Sequence, residues 1–174
     1  MARMDGLQPF VFDEPTKIIY GEGSLKELKN ELIRLNSKSV LLVCDEGIVK
    51  AGLADKVRAV VEDTPGVKFS QYDKIIVNPL DTTMDEAYEF AKANDVDTVI
   101  GLGGGSSLDS AKGIALLMSN GGKMREYLME GKVVSKVIAP TICIPTTAGT
   151  GSEVTRTVVA TDHVTKFKDG FKYP

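Results

Sequence analysis

The sequence predicts an α/β layered domain of the Rossmann-like kind, with a mostly parallel sheet and helices on both faces. Short apolar runs alternate with segments of helical period along most of the chain. Val40–Cys44 (VLLVC) is apolar without interruption, as a parallel strand covered on both faces is. Glycine-rich and hydroxyl-rich turns follow the apolar runs, at the strand ends where open α/β sheets bind ligands.

The elements follow in order. Lys17–Tyr20 (KIIY) is a short β-like run stopped by Gly21. Ser24 stands as a helix N-cap with Glu27 completing a capping box, and Leu28, Leu32 and Leu35 then recur at helical spacing. The strand Val40–Cys44 comes next. A second helix runs from about Leu53 to Glu62 on a stripe of Leu53, Val57, Val60 and Val61, and Val67–Tyr72 reads as a strand. After Asn78 and Pro79 a third helix starts near Thr83, with Ala87, Phe90 and Ala91 facing inward. Thr98–Leu102 (TVIGL) is another buried strand and runs straight into Gly103, Gly104 and Gly105. The helix after it spans Ser107 to about Met118 and closes at Asn120, Gly121 and Gly122, since glycine readily takes the left-handed conformation of a helix end. Thr141–Ile144 (TICI) and Thr155–Ala160 (TRTVVA) complete the strands, and Lys166–Pro174 shows no clear period. No repeat, low-complexity tract or Pro/Gly-rich linker intervenes, so residues 1–174 read as one domain.

Composition narrows the function. A chain of 174 residues with 43% hydrophobic and 26% charged residues is ordinary for a folded domain with a sizeable core. A net charge of -3 offers no broad basic field, which argues against a nucleic-acid partner. No apolar run approaches the roughly 18 residues that cross a bilayer. Met1–Phe10 (MARMDGLQPF) lacks the apolar core of a signal peptide, so no membrane partner and a cytoplasmic location are expected. Cys44 and Cys143 lie within apolar runs and read as small buried thiols. His163 is the single histidine, and one histidine cannot assemble the converging ligands of a tight iron or zinc site. No metal ligand is expected in this chain.

Three loops point at a nucleotide. In Gly101–Lys112 (GLGGGSSLDSAK) a buried strand turns into a helix through three consecutive glycines. Their bare backbone lets a diphosphate lie against peptide N–H groups at the positive end of the helix dipole. Ser106 is placed as the N-cap and Asp109 completes an acidic capping box. A tight turn without a ligand is the plainer reading. The usual Gly-x-Gly-x-x-Gly fingerprint carries its ribose carboxylate about 20 residues after the glycines. Here the candidate, Asp45, precedes them, just past the end of Val40–Cys44. Asp45 can accept from ribose hydroxyls and repel a 2′-phosphate, favouring NAD over NADP, or it can simply cap a short helix beginning near Gly47; both readings stand. The third loop, Pro145–Thr155 (PTTAGTGSEVT), is dense in hydroxyls at Thr146, Thr147, Thr150 and Ser152, with Gly149 and Gly151 between them. Such a loop can wrap phosphate or ribose, or can be a merely polar surface loop. All three follow apolar runs and would collect on one edge of a parallel sheet, which favours a single ligand.

Gly103–Lys112, Pro145–Thr155 and the opening Pro15–Ser24 (PTKIIYGEGS) resemble the signatures of iron-containing (group III) alcohol dehydrogenases. The resemblance runs from about Phe10 to Lys168. It implies the N-terminal half of such an enzyme, a dehydroquinate synthase-like Rossmann domain. It further implies NAD(P)-dependent interconversion of small alcohols with aldehydes or ketones, using iron or another divalent metal. It assigns dinucleotide contacts to Asp45, Asn78, Gly104, Gly105, Ser106, Thr146, Thr147, Gly149, Thr150, Val159 and Lys168. It places Asp109 near the nicotinamide and substrate, beyond any capping role, and implies a homodimer. Family members are longer, and a second, helical domain supplies their Asp and His metal ligands, whereas this chain stops at Pro174. The expectation is a truncated chain, without a metal ligand or established catalytic residue of its own, that binds nucleotide but does not turn over. The alternative is a non-catalytic nucleotide-binding module or remnant.

Overall fold

The computed structural model describes residues 16–173. The readings on Met1–Phe10, Pro15 and Pro174 lie outside the described residues. A 3-10 turn, Ser24–Glu27, leads into α1 (Leu28–Arg34), β1 (Ser39–Val43), α2 (Glu46–Lys50), α3 (Leu53–Glu62) and β2 (Lys68–Tyr72). Then come α4 (Asp81–Ala93), β3 (Thr98–Gly103), α5 (Gly105–Asn120), α6 (Met124–Met129), β4 (Thr141–Pro145), β5 (Thr157–Thr161) and β6 (Lys168–Lys172). Sheet one has the order β2-β1-β3-β4 with every pairing parallel, and β5 and β6 form a separate antiparallel hairpin.

Alternation along the central strands divides the core into two layers. Val40, Leu42, Cys44, Ile100 and Leu102 pack against α1, α2 and α3. Leu41, Val43 and Val99 face the other way, onto Ala87 and Ala91 of α4 and Ala111, Ile114 and Ala115 of α5. Both faces are thus covered, which is why β1 and β3 are buried along their whole lengths. Helix α5 is enclosed further. Leu116 and Leu117 pack with α6 and with Val158 and Ala160 of the hairpin, and every residue from Ser107 to Leu117 is buried. A helix enclosed on all sides needs an apolar or small residue at almost every position, and the α5 sequence supplies them.

Two glycines set how closely α5 packs. A Cβ at Gly101 would stand 2.8 Å from the Ala111 Cβ and 3.3 Å from the Leu108 Cα, so α5 lies directly on the β3 backbone. At Gly113 a Cβ would meet Met84 Sδ at 2.7 Å and Met124 Cε at 2.9 Å, the far ends of two flexible side chains.

Several expectations need correction. Lys17–Tyr20 forms no strand: no described strand pairs with it, and Ile18 and Tyr20 stand 64% and 97% exposed. Ser24 is not an N-cap. Gly23 takes that position in the left-handed conformation (φ 75°), Ser24 falls inside the 3-10 turn, and no side chain caps it. The third helix begins at Asp81 rather than Thr83, and Phe90 sits at the edge of its buried face, 36% exposed beside the Tyr72 ring. Helix α6 and strand β6 have no counterpart in the sequence reading. The β6 segment is polar and largely exposed, so pairing with β5, rather than burial, makes it a strand.

Gly101→Ala is expected to cost about 1–3 kcal/mol by forcing α5 off β3. Thermal denaturation monitored by circular dichroism measures this; an unchanged Tm would mean that the helix-sheet spacing has slack.

Candidate functional site

The chain leaves β1 toward β2 on one side and returns through α4 to β3 on the other. The crevice between the carboxyl ends of β1 and β3 is therefore the topological switch point, where a parallel sheet opens to ligands. Asp45 follows β1 and the triple glycine follows β3, so the fold places both at that crevice. A Cβ at Gly103 would lie 3.6 Å from Asp45 Oδ2, so the two loops face each other across it.

Asp45 is the N-cap of α2, its Oδ1 accepting from the Ile48 amide at 3.1 Å. The capping role is real, and it leaves Oδ2 toward the glycine turn.

The glycine turn departs from the expected cap. Gly104, extended at φ -81° and ψ -174°, occupies the N-cap of α5, and no side chain caps it. Ser106 lies inside the first turn. Asp109 does not close a capping box. Its Oδ1 accepts from Ser152 Oγ at 2.5 Å and pairs with Lys112 Nζ at 2.8 Å. The helix therefore starts with first-turn amides that no side chain satisfies, in a crevice lined by backbone. Gly103, at φ 143°, is the position that requires glycine, since a Cβ there would also meet Ser107 Oγ at 2.7 Å.

The threonine loop lies across this terminus. The Thr146 amide donates to the Gly103 carbonyl at 2.9 Å, so the loop begins hydrogen-bonded to the glycine turn. A Cβ at Gly104 would lie 3.5 Å from Thr147 Oγ1, and one at Gly105 would lie 3.6 Å from the Thr150 Cβ. Residues Thr146–Thr150 are exposed, with Gly149 in the left-handed region at φ 99°. At its far end the loop is held by Lys112, whose Nζ donates to the Ser152 carbonyl at 2.9 Å and the Thr155 carbonyl at 3.2 Å. Lys112 is 3% exposed, and removing one member of a buried ion pair typically costs about 3–5 kcal/mol. Sequence reasoning missed the roles of Lys112 and Ser152. The available signal was an Asp and a Lys three apart on one face of an otherwise apolar helix.

Asn78, Val159 and Lys168 form a second group. Asn78 takes a positive φ of 55°, and its Oδ1 accepts from Lys168 Nζ at 2.8 Å. Val159 lies opposite Gly170 in the hairpin, and the hairpin joins the loop after β2 through a Leu80–Thr161 bridge. The same junction brings His163 to Asp81 and Asp162, with ligand atoms of all three within 4.8 Å. The sequence shows His163 alone; the fold gives it two carboxylate neighbours. Those carboxylates are already engaged. Arg125 Nε and both the amide and hydroxyl of Thr165 donate to Asp162, while the Thr82 and His163 amides and His163 Nδ1 contact Asp81.

A family model described as iron-containing alcohol dehydrogenase matches residues 15–174. The chain belongs to that family. Alcohol dehydrogenase 4 of Schizosaccharomyces pombe is 39% identical over 154 residues, which is 88% of this chain and 36% of that protein. NADH-dependent butanol dehydrogenase A from Thermotoga maritima superposes with a TM-score of 0.87 at 31% identity, covering 96% of this chain and 43% of that one. Sulfoacetaldehyde reductase from Bifidobacterium kashiwanohense, solved in complex with NAD+, gives a TM-score of 0.86 at 26% identity over 95% of this chain and 43% of that one. The chain thus spans about two fifths of the length of these relatives. The Asp81, Asp162 and His163 group does not suit the iron in the family's name. An adjacent guanidinium and the existing hydrogen bonds leave that trio an internal polar junction. Among the described residues, no helix is long and apolar enough to cross a membrane.

The Asp162 carboxyl is held down to about 2, by the Thr165 hydroxyl and amide first and by Arg125 next. An ordinary Asp titrates near 3.9, so this group's contribution to stability is complete above about pH 4 and is lost as pH falls through about 2. Thermal melts between pH 2 and pH 5 (roughly the span of the two values) should show Asp162→Asn losing part of that acid-dependent decline. Superimposable profiles would remove Asp162 from the acid response.

Proposed function

We propose that residues 16–173 form the dinucleotide-binding unit of an alcohol dehydrogenase and hold NAD across the β1–β3 crevice. One observation carries this reading: Asp45, the glycine turn and the threonine loop meet at a single uncapped helix terminus. The amides of Gly104, Gly105 and Ser106 would hold the diphosphate, assisted by the dipole of α5. Thr146, Thr147 and Thr150 would close over it with their hydroxyls, and Gly149 lets the loop turn. Asp45 Oδ2 would accept from the adenosine ribose and repel a 2′-phosphate, favouring NAD over NADP. Lys168, steadied by Asn78, would offer a cation from the hairpin that also carries Val159. Asp109 would stand at the nicotinamide end. When bound, the coenzyme supplies the hydride acceptor or donor for interconverting a small alcohol with its aldehyde or ketone.

Two relatives, one NADH-dependent and one solved in complex with NAD+, support this choice of coenzyme. We place the metal ligands outside residues 16–173, so these residues are expected to bind coenzyme without oxidising alcohol. The exposed run Ile18–Tyr20, which no described strand pairs, supports a homodimer formed through this segment. Two free thiols, one buried, are compatible with a reducing cytoplasm.

Gly105→Ala tests the reading without disturbing the fold, because the added methyl would meet Thr150 only at ordinary contact distances of 3.6 and 3.7 Å. Calorimetric titration should show NAD binding weakened about tenfold or more, with Tm essentially unchanged. Asp45→Gly should weaken NAD and narrow its advantage over NADP. Wild-type affinity in Gly105→Ala would take the diphosphate away from this helix terminus.

A further inference from the structure

We infer that Lys112 is a positioning residue for coenzyme binding, fixing the threonine loop over the N-terminus of α5. The inference rests on the nucleotide reading above. Lys112 sits among Ala111, Gly113 and Ile114 in a helix otherwise suited to apolar packing, and an unpaired ammonium there would be costly. Its place is explained by its partners. Nζ lies 2.8 Å from Asp109 Oδ1 and 2.9 Å from the Ser152 carbonyl. It also reaches the Thr155 carbonyl at 3.2 Å and Thr155 Oγ1 at 3.5 Å. Ser152 Oγ donates to the same Asp109 oxygen and closes the knot.

The knot lies where the loop needs it. At its start the loop is bonded to the glycine turn through Thr146 and Gly103. Between Thr146 and Ser152 the chain is mostly exposed and carries two left-handed glycines, Gly149 and Gly151. Such a stretch holds a defined position only if both ends are fixed. Lys112 fixes the second end, and does so from the same rigid helix that begins at Gly105. Seven residues of helix, about 10 Å, set the distance between the clamp and the terminal amides. The loop hydroxyls and the helix amides are thus presented to one ligand at a fixed separation, and affinity benefits from that preorganisation.

The test compares wild type, Lys112→Met, and the doubly neutral Asp109→Asn/Lys112→Met, which leaves no unpaired charge should the single variant fold poorly. Three measurements are made: NADH affinity by fluorescence titration, adenosine affinity by NMR, and hydrogen exchange by mass spectrometry. NADH dissociation constants should rise about tenfold or more in the variants. Adenosine, which lacks the phosphates and reports on the Asp45 side, should bind within about threefold of wild type. Exchange should quicken about tenfold or more in residues 146–155 while β1 and β3 keep their protection. Parallel losses of NADH and adenosine affinity would reduce Lys112 to a general stabiliser and overturn the inference; so would an unchanged NADH affinity or unchanged exchange in the loop. A wild-type chain that binds no NADH would overturn the nucleotide reading and the coenzyme role of the clamp with it, and the exchange pattern would still show whether Lys112 holds the loop.

Discussion

The structure depends on how closely α5 lies against β3. At Gly101 the two elements touch with no room for a methyl group, and at Gly103 the chain bends through a backbone conformation that side chains resist. The helix can therefore begin within two residues of the strand end, with its first amides opening directly onto the sheet's carboxyl edge. A larger residue at either glycine would lift the helix and move those amides away from Asp45 and the threonine loop. The same close approach seats α5 between the parallel sheet on one side and α6 with the β5–β6 hairpin on the other. One steric constraint sets both the core and the site.

Burial of α5 then shapes the electrostatics. A helix enclosed by apolar neighbours has little room for charge, yet it holds Asp109 and Lys112, and both side chains are engaged with the far end of the threonine loop. Breaking that pair leaves a buried charge without a partner, so the loop is tied to the helix by more than an ordinary surface contact. At the hairpin, Asp162 and Asp81 are satisfied in a similar way by Arg125, Thr165 and His163. There the carboxylates join elements together, and their engagement makes the cluster a poor cation site.

Much of this was legible in the sequence, where local pattern and tertiary context agree. The uninterrupted run at Val40–Cys44 and the glycines after Thr98–Leu102 report burial and a tight turn directly, and the strands and crevice stand where they pointed. The legible part ends where a residue's role depends on a distant partner. Ser24 and Ser106 satisfy a capping pattern, but both fall inside their helices: Gly23, in the left-handed conformation that favours glycine, holds the first N-cap, and the extended Gly104 holds the second. Asp109 looks like the end of a capping box until Lys112 and Ser152 claim it. His163 looks isolated because Asp81 lies far back in the chain, and β6 is a strand only because β5 lies beside it. Lys17–Tyr20 has strand composition, yet among the described residues no strand pairs with it, and β propensity alone does not make a strand.

The most direct measurement is a crystal structure of this chain grown with NAD. The account predicts diphosphate oxygens within hydrogen-bond distance of the amides of Gly104, Gly105 and Ser106, with the adenosine ribose beside Asp45. Density for NAD elsewhere on the molecule, with the threonine loop folded into that crevice in its place, would contradict it.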